Sequence, residues 1–335
     1  MHHQEWDLLR GTSRTFYISI RQLPGRLGEA FCLAYLLLRI SDYLEDNTLM
    51  TPEQKNAELL RWHQVLLGRL PAAPWVHQMA AQNFLDGSPD SQALEQAEAI
   101  LALAHRLPEG MQAAIFHHVP DSTLGMARWV LRGPDILTEE DLDDYMHEVA
   151  GRVGYLSTEL FACHVPLLKR HLDRLMPLAR ETGLALQTVN IIRGLRKDLE
   201  RGWVYVPESF CKSYGIRRAD LFEPTHRDQA VQVVGLMAQK AERHLKFALS
   251  YIVAIPQYFH SVRLACIWPL AFAIRTLALS RGNLHQVLSS EVKISREEVK
   301  RIVRDSSLFG WSNRWLSWYC QRLSQTTLQS PTAGQ

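Results

Sequence analysis

The sequence predicts a fold that is almost entirely α-helical. Long stretches of helical period are separated by glycine and proline, while alternating runs of β-branched residues are rare. The one short extended segment expected covers residues 204–207, which follow Gly202 and end at Pro207. With 335 residues, of which 47% are hydrophobic, the chain can bury a large core without disulfides or structural metals.

The predicted helices are the segments in which apolar residues recur with a helical period. They cover residues 27–45, 52–67, 75–86, 91–106, 110–132, 139–163, 172–200, 228–252, 259–280 and 296–307. The most apolar stretch, residues 251–279, is interrupted by Pro256, Arg263, Pro269 and Arg275. It therefore predicts a buried core helix rather than a membrane span.

Composition and charge exclude several classes of function. The 37 Lys plus Arg against 35 Asp plus Glu are too balanced for a nucleic-acid binder that relies on bulk electrostatics. The five cysteines are scattered without the spacing of a zinc site, which fits a reducing cytoplasm. Residues 1–10 are polar and charged, so no signal peptide is predicted. The sequence has no GxGxxG and no GxxxxGK(S/T) motif, which argues against a Rossmann or P-loop nucleotide site.

The first candidate site is the acidic end of the helix predicted over residues 27–45. At helical spacing, five side chains share one face: Tyr35, Arg39, Asp42, Glu45 and Asp46. Three carboxylates on one turn repel one another, and hard oxygen ligands at this spacing suit a Mg²⁺ ion that also holds substrate phosphates. The alternative is a helix end that frays into a solvated acidic loop.

The second candidate site is a polar stripe on the helix predicted over residues 172–200. Gln187, Asn190, Gly194 and Asp198 lie three and four residues apart and therefore on one side of the helix. Polar residues on one stripe of an otherwise apolar helix favour a functional role. The alternative is a surface helix whose cations are solvated and whose acidic residues only neutralise them.

The third candidate surrounds Tyr145. His147 and Glu148 resemble the start of a zinc-protease HExxH motif, but Gly151 stands where the second histidine is required, so that interpretation fails. Gly151 and Gly154 within a helix indicate close packing or space for a ligand. A buried tyrosine such as Tyr145 is more often a core residue than a catalyst.

Two short basic segments could each neutralise a phosphate. Ser13 and Arg14 lie near the start of the chain, and Lys293 and Arg296 lie near its end. Arginine would do so by bidentate hydrogen bonding and lysine as a point charge. Solvated loop charges are the alternative for both segments.

Together, these segments resemble the squalene and phytoene synthase family. The matching segments follow the family's order along most of the chain: residues 13–16, 32–46, 145–160, 187–207 and 292–296. DYLED at residues 42–46 is similar to the squalene-type acidic motif. VKISR at residues 292–296 resembles the segment that helps hold NADPH in squalene synthases. Both details favour the reductive branch of the family.

The resemblance implies one all-α isoprenoid-synthase domain, residues 1–325, folded around a central apolar cavity and followed by a flexible polar tail, residues 326–335. The implied reaction needs Mg²⁺ and joins two farnesyl diphosphates through presqualene diphosphate, which NADPH then reduces to squalene. The alternatives are a presqualene diphosphate, phytoene or dehydrosqualene synthase that needs no reductant, and a non-catalytic paralogue that binds prenyl diphosphates.

The resemblance also assigns roles to individual residues. The implied metal ligands are Asp42, Glu45, Asp46, Asn190 and Asp198. The implied substrate-binding residues are Ser13, Arg14, Tyr35, Arg39, Gln187 and Arg193. Tyr145 matches the residue proposed to assist proton removal as the cyclopropane closes. The catalytic residues implied by the resemblance are Tyr145, Asp42, Asp46 and Asp198. Lys293 and Arg296 match contacts to the phosphate of NADPH.

The polar stripe over residues 187–198 matches the family's second acidic motif in position but departs from its pattern. Gly194 stands where the family has its first aspartate, and Lys197 stands at the next acidic position, so only Asp198 remains in register. A lost carboxylate removes a metal ligand, and a lysine repels Mg²⁺. Either Asn190 and Asp198 suffice, or Glu200 is recruited, or Lys197 binds diphosphate directly, or activity is impaired or altered.

A cluster of aromatic residues near the C-terminus suggests contact with a membrane surface. Trp311, Trp315, Trp318 and Tyr319 could form an interfacial aromatic stretch on a cytoplasmic protein. Such a protein would lie peripherally on the inner face of the membrane. The alternative is that these side chains pack on the body of the protein.

Overall fold

The computed structural model describes residues 3–325, although not the side chains of His3 and Arg14. Within residues 3–325 the regular secondary structure is helical and no β-strand is present, so the all-α prediction is confirmed. The segment 204–207, predicted as extended, forms no strand there. The predicted tail, residues 326–335, lies outside the described residues.

The helices follow one another with short connections. In chain order they are α1 (His3–Thr12), α2 (Arg14–Arg21), α3 (Gly25–Asp46), α4 (Pro52–Leu66), α5 (Ala72–Ala81), α6 (Pro89–Glu95), α7 (Ala97–Ala104), α8 (Glu109–Arg132), α9 (Glu139–Met146), α10 (Arg152–His164), α11 (Pro166–Lys169), α12 (Leu172–Glu200), α13 (Glu208–Lys212), α14 (Arg227–Ala254), α15 (His260–Gly282), α16 (Leu284–Val287), α17 (Arg296–Phe309) and α18 (Asn313–Leu323).

Three predicted helices differ from the structure. The helix predicted over residues 91–106 is broken between α6 and α7, because the Gln96 N–H bonds to carbonyls both three and four residues earlier and tightens the turn. The helix predicted over 75–86 ends at Ala81, just before Asn83, which adopts the left-handed φ of 57°. The helix predicted over 139–163 contains one π-helical turn, His147–Gly151, between α9 and α10.

The chain divides into two compact units. Unit 1 comprises residues 3–135 and 143–183, and unit 2 comprises residues 136–142 and 184–325. Helices α9 and α12 each contribute residues to both units.

A buried polar network fixes α3 in the core of unit 1. The Ser41 hydroxyl on α3 lies 2.7 Å from the Thr123 hydroxyl on α8, and the Trp62 indole of α4 donates to Ser41 at 3.1 Å. The three side chains are fully buried, so each hydrogen bond satisfies a group that would otherwise cost about 1–3 kcal/mol. The network therefore sets the position of the helix that ends in the acidic motif.

Glycines allow α10 and the π-helical turn to approach α12 closely within unit 1. A Cβ added at Gly154 would lie 2.1 Å from the Ala179 carbonyl oxygen, and one added at Gly183 would lie 2.2 Å from the Ala150 carbonyl oxygen. No side chain fits at either position. Of the two readings of Gly154, the structure therefore supports close backbone packing.

The core helix of unit 2 is α15. Among the helices of residues 3–325 it is the one that is long and apolar enough to cross a membrane, but 83% of its most apolar stretch is buried inside the protein. Two contacts fasten it to α17: the Trp268 indole donates to the Ser306 hydroxyl at 2.8 Å, and Arg275 Nε donates to Glu298 at 2.7 Å. These observations confirm a buried core helix from residue 260 onwards. Residues 251–254 instead end α14, and residues 255–259 form the turn between the two helices.

Candidate active-site residues

In unit 1, Ser13 and Tyr35 lie together beside the start of α2. Ser13 is the N-cap of that helix, and its hydroxyl accepts a hydrogen bond from the Phe16 N–H at 3.2 Å. Tyr35 of α3 lies near this side chain, and its ring lies 5.7 Å from the Phe16 ring. Burial raises the pKa of Tyr35, so its phenol is neutral at physiological pH. The side chain of Arg14 lies outside the described part of the structure.

Arg39 is held between two carboxylates. Its Nε and Nη2 donate to the two oxygens of Asp90 at 2.9 and 2.7 Å, and its Nη1 donates to Asp42 at 3.1 Å. Burial disfavours the charged guanidinium, but Asp42 and Asp90 outweigh that effect and raise the pKa of Arg39. Sequence reasoning missed Asp90, because Ser88 and Pro89 mark only the start of α6 and carry no signal of a partner 51 residues away.

The carboxylates of the first acidic motif differ in their surroundings. Asp46 is exposed and Glu45 is buried, whereas 37% of the Asp42 side chain remains accessible. Nearby protein atoms still remove part of the hydration of Asp42 and raise its pKa. Arg39 opposes this increase, and the negative charge of Asp46 adds to it.

The residues at the end of α3 fit a Mg²⁺ ion shared with a substrate. Asp42 and Asp46 are close enough to repel each other, and a divalent cation would relieve that repulsion. In residues 3–325 no set of three or more His, Cys, Asp or Glu side chains is placed to hold a metal ion. Diphosphate oxygens would therefore have to complete the coordination, and the role of Glu45 as a ligand stays a prediction.

Tyr145, the candidate catalytic tyrosine, also belongs to unit 1. It is buried on α9, and its ring packs edge-on against Trp129 with the centroids 5.6 Å apart. The π-helical turn that follows was not predicted, and π-helical turns are frequent at functional sites.

The π-helical turn carries an ion cluster around the buried Glu148, which sequence reasoning also missed. The Glu148 carboxylate accepts from Arg152 at 2.5 Å and from Arg128 at 3.2 Å. Arg152 in turn contacts Asp121 at 3.0 Å. These pairs fix the turn directly after the Tyr145 helix.

In unit 2, the predicted polar stripe of α12 is unevenly exposed. Gln187 is half-buried, Asn190 is exposed and Asp198 is buried. The Asp198 carboxylate accepts from Arg201 at 2.5 Å. A Cβ at Gly194 would lie 3.5 Å from Asp198 Oδ2, an ordinary van der Waals distance, so a side chain would fit where the family pattern has an aspartate.

The unit 2 residues do not fit a two-carboxylate metal site. Gly194 offers no ligand, so Asp198 is the one carboxylate in register with the family pattern. Lys197 adds an exposed positive charge on the same turn. These residues supply a cationic surface, and we assign no metal-dependent step to them.

An acidic residue links Arg193 to the second basic segment of unit 2. Glu291 lies 3.5 Å from Arg193 Nε and 2.7 Å from Lys293 Nζ. Arg296 is exposed and begins α17, whose N-cap is Ser295. Sequence reasoning grouped Lys293 with Arg296 but did not identify Glu291, because its pairing with α12 depends on tertiary structure.

The sequence of the chain is similar to known proteins of one family. The squalene/phytoene synthase profile matches residues 9–298. Human squalene synthase is 29% identical over 305 residues, which are 90% of this chain and 69% of the human protein. Arabidopsis thaliana squalene synthase 1 is 27% identical over 307 residues, which are 89% of this chain and 69% of that protein.

Solved structures show the same fold. The complex of TcSQS with the ligand E5700 aligns with a TM-score of 0.81 and 26% identity over 96% of this chain and 90% of that chain. A dehydrosqualene synthase with a bound ligand aligns with a TM-score of 0.60 and 20% identity over 90% of this chain and 94% of that chain, a likeness of fold alone. The profile match over most of the chain shows that the protein belongs to the squalene/phytoene synthase family.

Proposed function

We propose that the protein condenses two farnesyl diphosphates head to head through presqualene diphosphate and reduces that intermediate with NADPH to squalene. The observation that carries this proposal is the Arg39 group of α3, in which a fixed guanidinium adjoins Asp42 and, one turn on, Asp46. The similarity of the chain to human and Arabidopsis squalene synthases favours squalene over the other products of the family.

The chemistry requires stabilisation of a departing diphosphate. A bound Mg²⁺ ion would neutralise part of that charge, with Asp42 and Asp46 as its protein ligands. Arg39 would donate hydrogen bonds to the diphosphate oxygens, and Asp90 would keep the guanidinium plane fixed as it does so. A preorganised donor needs no reorientation when the carbon–oxygen bond breaks.

Tyr145 would act on the carbocation side of the reaction. The Tyr145 ring is buried and packs against Trp129, and these contacts hold the phenol in place. Closing the cyclopropane transfers a proton from the prenyl chain to the released diphosphate, and Tyr145 would relay that proton. Lys293 and Arg296 would contact a phosphate of NADPH as exposed cations.

A second candidate function follows from α12. Since Gly194 carries no carboxylate and Asp198 is paired with Arg201, the chain also suits a paralogue that binds prenyl diphosphates without turnover, or one that stops before reduction. The same residues thus favour either a differently built second site or an inactive one.

Product analysis separates these functions. The protein is incubated with farnesyl diphosphate and Mg²⁺, with and without NADPH, and the released pyrophosphate and the extracted lipids are measured. Squalene formed only with NADPH supports the proposal. Presqualene diphosphate, or a C30 polyene whose yield ignores NADPH, supports a synthase without reduction, and no pyrophosphate release supports the binding paralogue.

Variants of α3 test the assignment of the Arg39 group. Asp42→Ala or Asp46→Ala should lower pyrophosphate release at least about 100-fold while the helical circular-dichroism signal is kept. Glu29→Gln is the matched control, because Glu29 lies on the same helix in an ion pair with Arg26. Turnover that survives the Asp42 and Asp46 changes would remove these residues from the mechanism.

A further inference from the structure

Two turns of unit 2 expose large apolar side chains. Tyr258, between α14 and α15, is 72% exposed, and Leu308 and Trp311, around the end of α17, are 60% and 52% exposed. Trp318 on α18 is 50% exposed. Soluble proteins leave single apolar residues at the surface, but clustered ones mark a site of interaction.

One buried guanidinium clamps the two turns together. Arg263 is fully buried, and its Nη1 donates to the carbonyls of Ile252 and Ile255 at 2.9 and 2.7 Å, at the end of α14. The same side chain donates through Nε to Gly310 O at 3.3 Å and through Nη2 to Asn313 Oδ1 at 2.6 Å. Tyr258 and Trp311 therefore project from one rigid platform rather than from two independent loops.

Stacked aromatic rings support the exposed ones from below. Trp315 stacks on Tyr319 with their centroids 4.4 Å apart and also lies 5.8 Å from Phe309. Tyr319 is buried, and its ring lies 6.3 Å from that of Trp318. Of the aromatic stretch identified in the sequence, Trp315 and Tyr319 thus pack on the protein, while Trp311 and Trp318 face solvent.

The charges beside the exposed rings are mainly positive. One carboxylate contacts the ring cluster: Asp305 pairs with Arg304 and accepts a hydrogen bond from the Tyr319 hydroxyl at 3.4 Å. Residues 306–325 contain no Asp or Glu but include Arg314, which is exposed, and Arg322. The Arg322 guanidinium lies 5.5 Å from the centre of the Trp318 ring. The turn before α15 likewise has no carboxylate between residues 252 and 263. Exposed tryptophan and tyrosine side chains with an excess of arginine suit the boundary between lipid headgroups and acyl chains.

We propose that this aromatic platform, formed by Tyr258, Leu308, Phe309, Trp311, Arg314 and Trp318, docks on the surface of a lipid bilayer that contains anionic headgroups. The apolar rings enter the headgroup region while Arg314 and Arg322 contact lipid phosphates, and no helix crosses the membrane. The charge pattern selects anionic lipid over a second copy of the chain, because two copies would bring their arginines together. The inference does not depend on the proposed reaction.

Vesicle co-sedimentation tests the proposal. The full chain is mixed with vesicles of phosphatidylcholine alone or of equimolar phosphatidylcholine and phosphatidylglycerol, and bound protein is quantified as salt is raised. We expect binding to the anionic vesicles that weakens with salt. Arg314→Gln should weaken this binding about fivefold, and Trp311→Ser with Trp318→Ser about tenfold or more.

Controls distinguish docking from general stickiness and from unfolding. Leu131→Ser removes an exposed apolar side chain of unit 1, 59% accessible, and should leave vesicle binding unchanged. Because Arg314 is exposed, the Arg314→Gln chain should keep its melting temperature even if the tryptophan variant does not fold. The proposal is overturned if the wild-type chain ignores both vesicles, if these substitutions leave binding unchanged, or if they abolish a dimer seen by light scattering.

Discussion

Restoring an acidic residue at position 194 tests how the second motif of this protein is built. In Gly194→Asp, the new carboxylate would lie next to Asp198, since a Cβ at this position already comes within 3.5 Å of Asp198 Oδ2. Gly194→Asn is the matched control, because it has nearly the same shape and no charge. Both variants replace a helical glycine, so both gain a few tenths of a kcal/mol of helix propensity.

The expected effect is electrostatic. Two carboxylates about 5 Å apart repel by roughly 1 kcal/mol in a water-like medium and by roughly 3 kcal/mol at the effective dielectric of a protein surface. Arg201 already pairs with Asp198 and would offset part of this repulsion. Without Mg²⁺ we therefore expect Gly194→Asp to be about 1 kcal/mol less stable than Gly194→Asn.

Urea denaturation with and without Mg²⁺ measures the difference. If the new pair binds Mg²⁺, a free concentration ten times the dissociation constant stabilises Gly194→Asp by about 1.4 kcal/mol relative to Gly194→Asn. Comparing the two variants cancels any Mg²⁺ binding at Asp42 and Asp46. If Mg²⁺ stabilises the two variants equally, a carboxylate at position 194 does not create a metal site, and the reasoning is refuted.

Pyrophosphate release by the same variants adds a functional outcome. If the second motif has only lost a ligand, Gly194→Asp should keep or raise the rate. A collapse of the rate in Gly194→Asp but not in Gly194→Asn would show that the turn works as a cationic surface, to which an added negative charge is harmful.

Two further predictions concern stability and are checked by urea denaturation. Gly154→Ala should lower the free energy of unfolding by about 2–3 kcal/mol, because its Cβ would overlap the Ala179 carbonyl. Gly235→Ala is the control: no atom lies within 4 Å of its Cβ, so it should raise the free energy of unfolding by up to about 1 kcal/mol. Equal effects of the two substitutions would contradict the close packing at Gly154. Glu139→Gln should cost about 2 kcal/mol near neutral pH by depriving buried Lys240 of its charged partner. Burial opposes ionisation of Glu139, but Lys240 outweighs this effect and lowers the pKa of Glu139. The Glu139 carboxylate therefore stabilises the fold fully above its unfolded pKa near 4.5, and this stabilisation is lost as pH falls through the lower folded pKa. A difference in unfolding free energy between wild type and Glu139→Gln that does not change with pH would contradict this.

The sequence predicted those parts of the structure that depend on local pattern. The apolar period over residues 27–45 and 259–280 located α3 and α15, since a long buried helix repeats the same signal over several turns. Helix α18 was not predicted as a helix, although its first turn is capped by Ser312, because its closely spaced tryptophans suggested a surface stretch. The π-helical turn was also missed, since an inserted residue leaves no periodic signal.

The candidate site shows the same division. Arg39, Asp42 and Asp46 could be grouped because helical spacing places them on one side of α3. Asp90 and Glu291 could not be found, because each is paired with a residue brought near it only by tertiary folding. Both missed residues are acidic partners of arginines, so the sequence identified the cations of the site and not what positions them.

The charge balance of the two motifs supports different roles for them. Residues 39–46 hold three carboxylates and one arginine, whereas residues 193–201 hold four cations, three arginines and a lysine, against two carboxylates. A negative turn attracts a divalent cation before it can hold a diphosphate, while a positive turn can attract a diphosphate directly. The two motifs of this protein should therefore depend differently on Mg²⁺: diphosphate binding by the α3 group should be lost on chelation, and binding by the α12 turn should remain and weaken with salt.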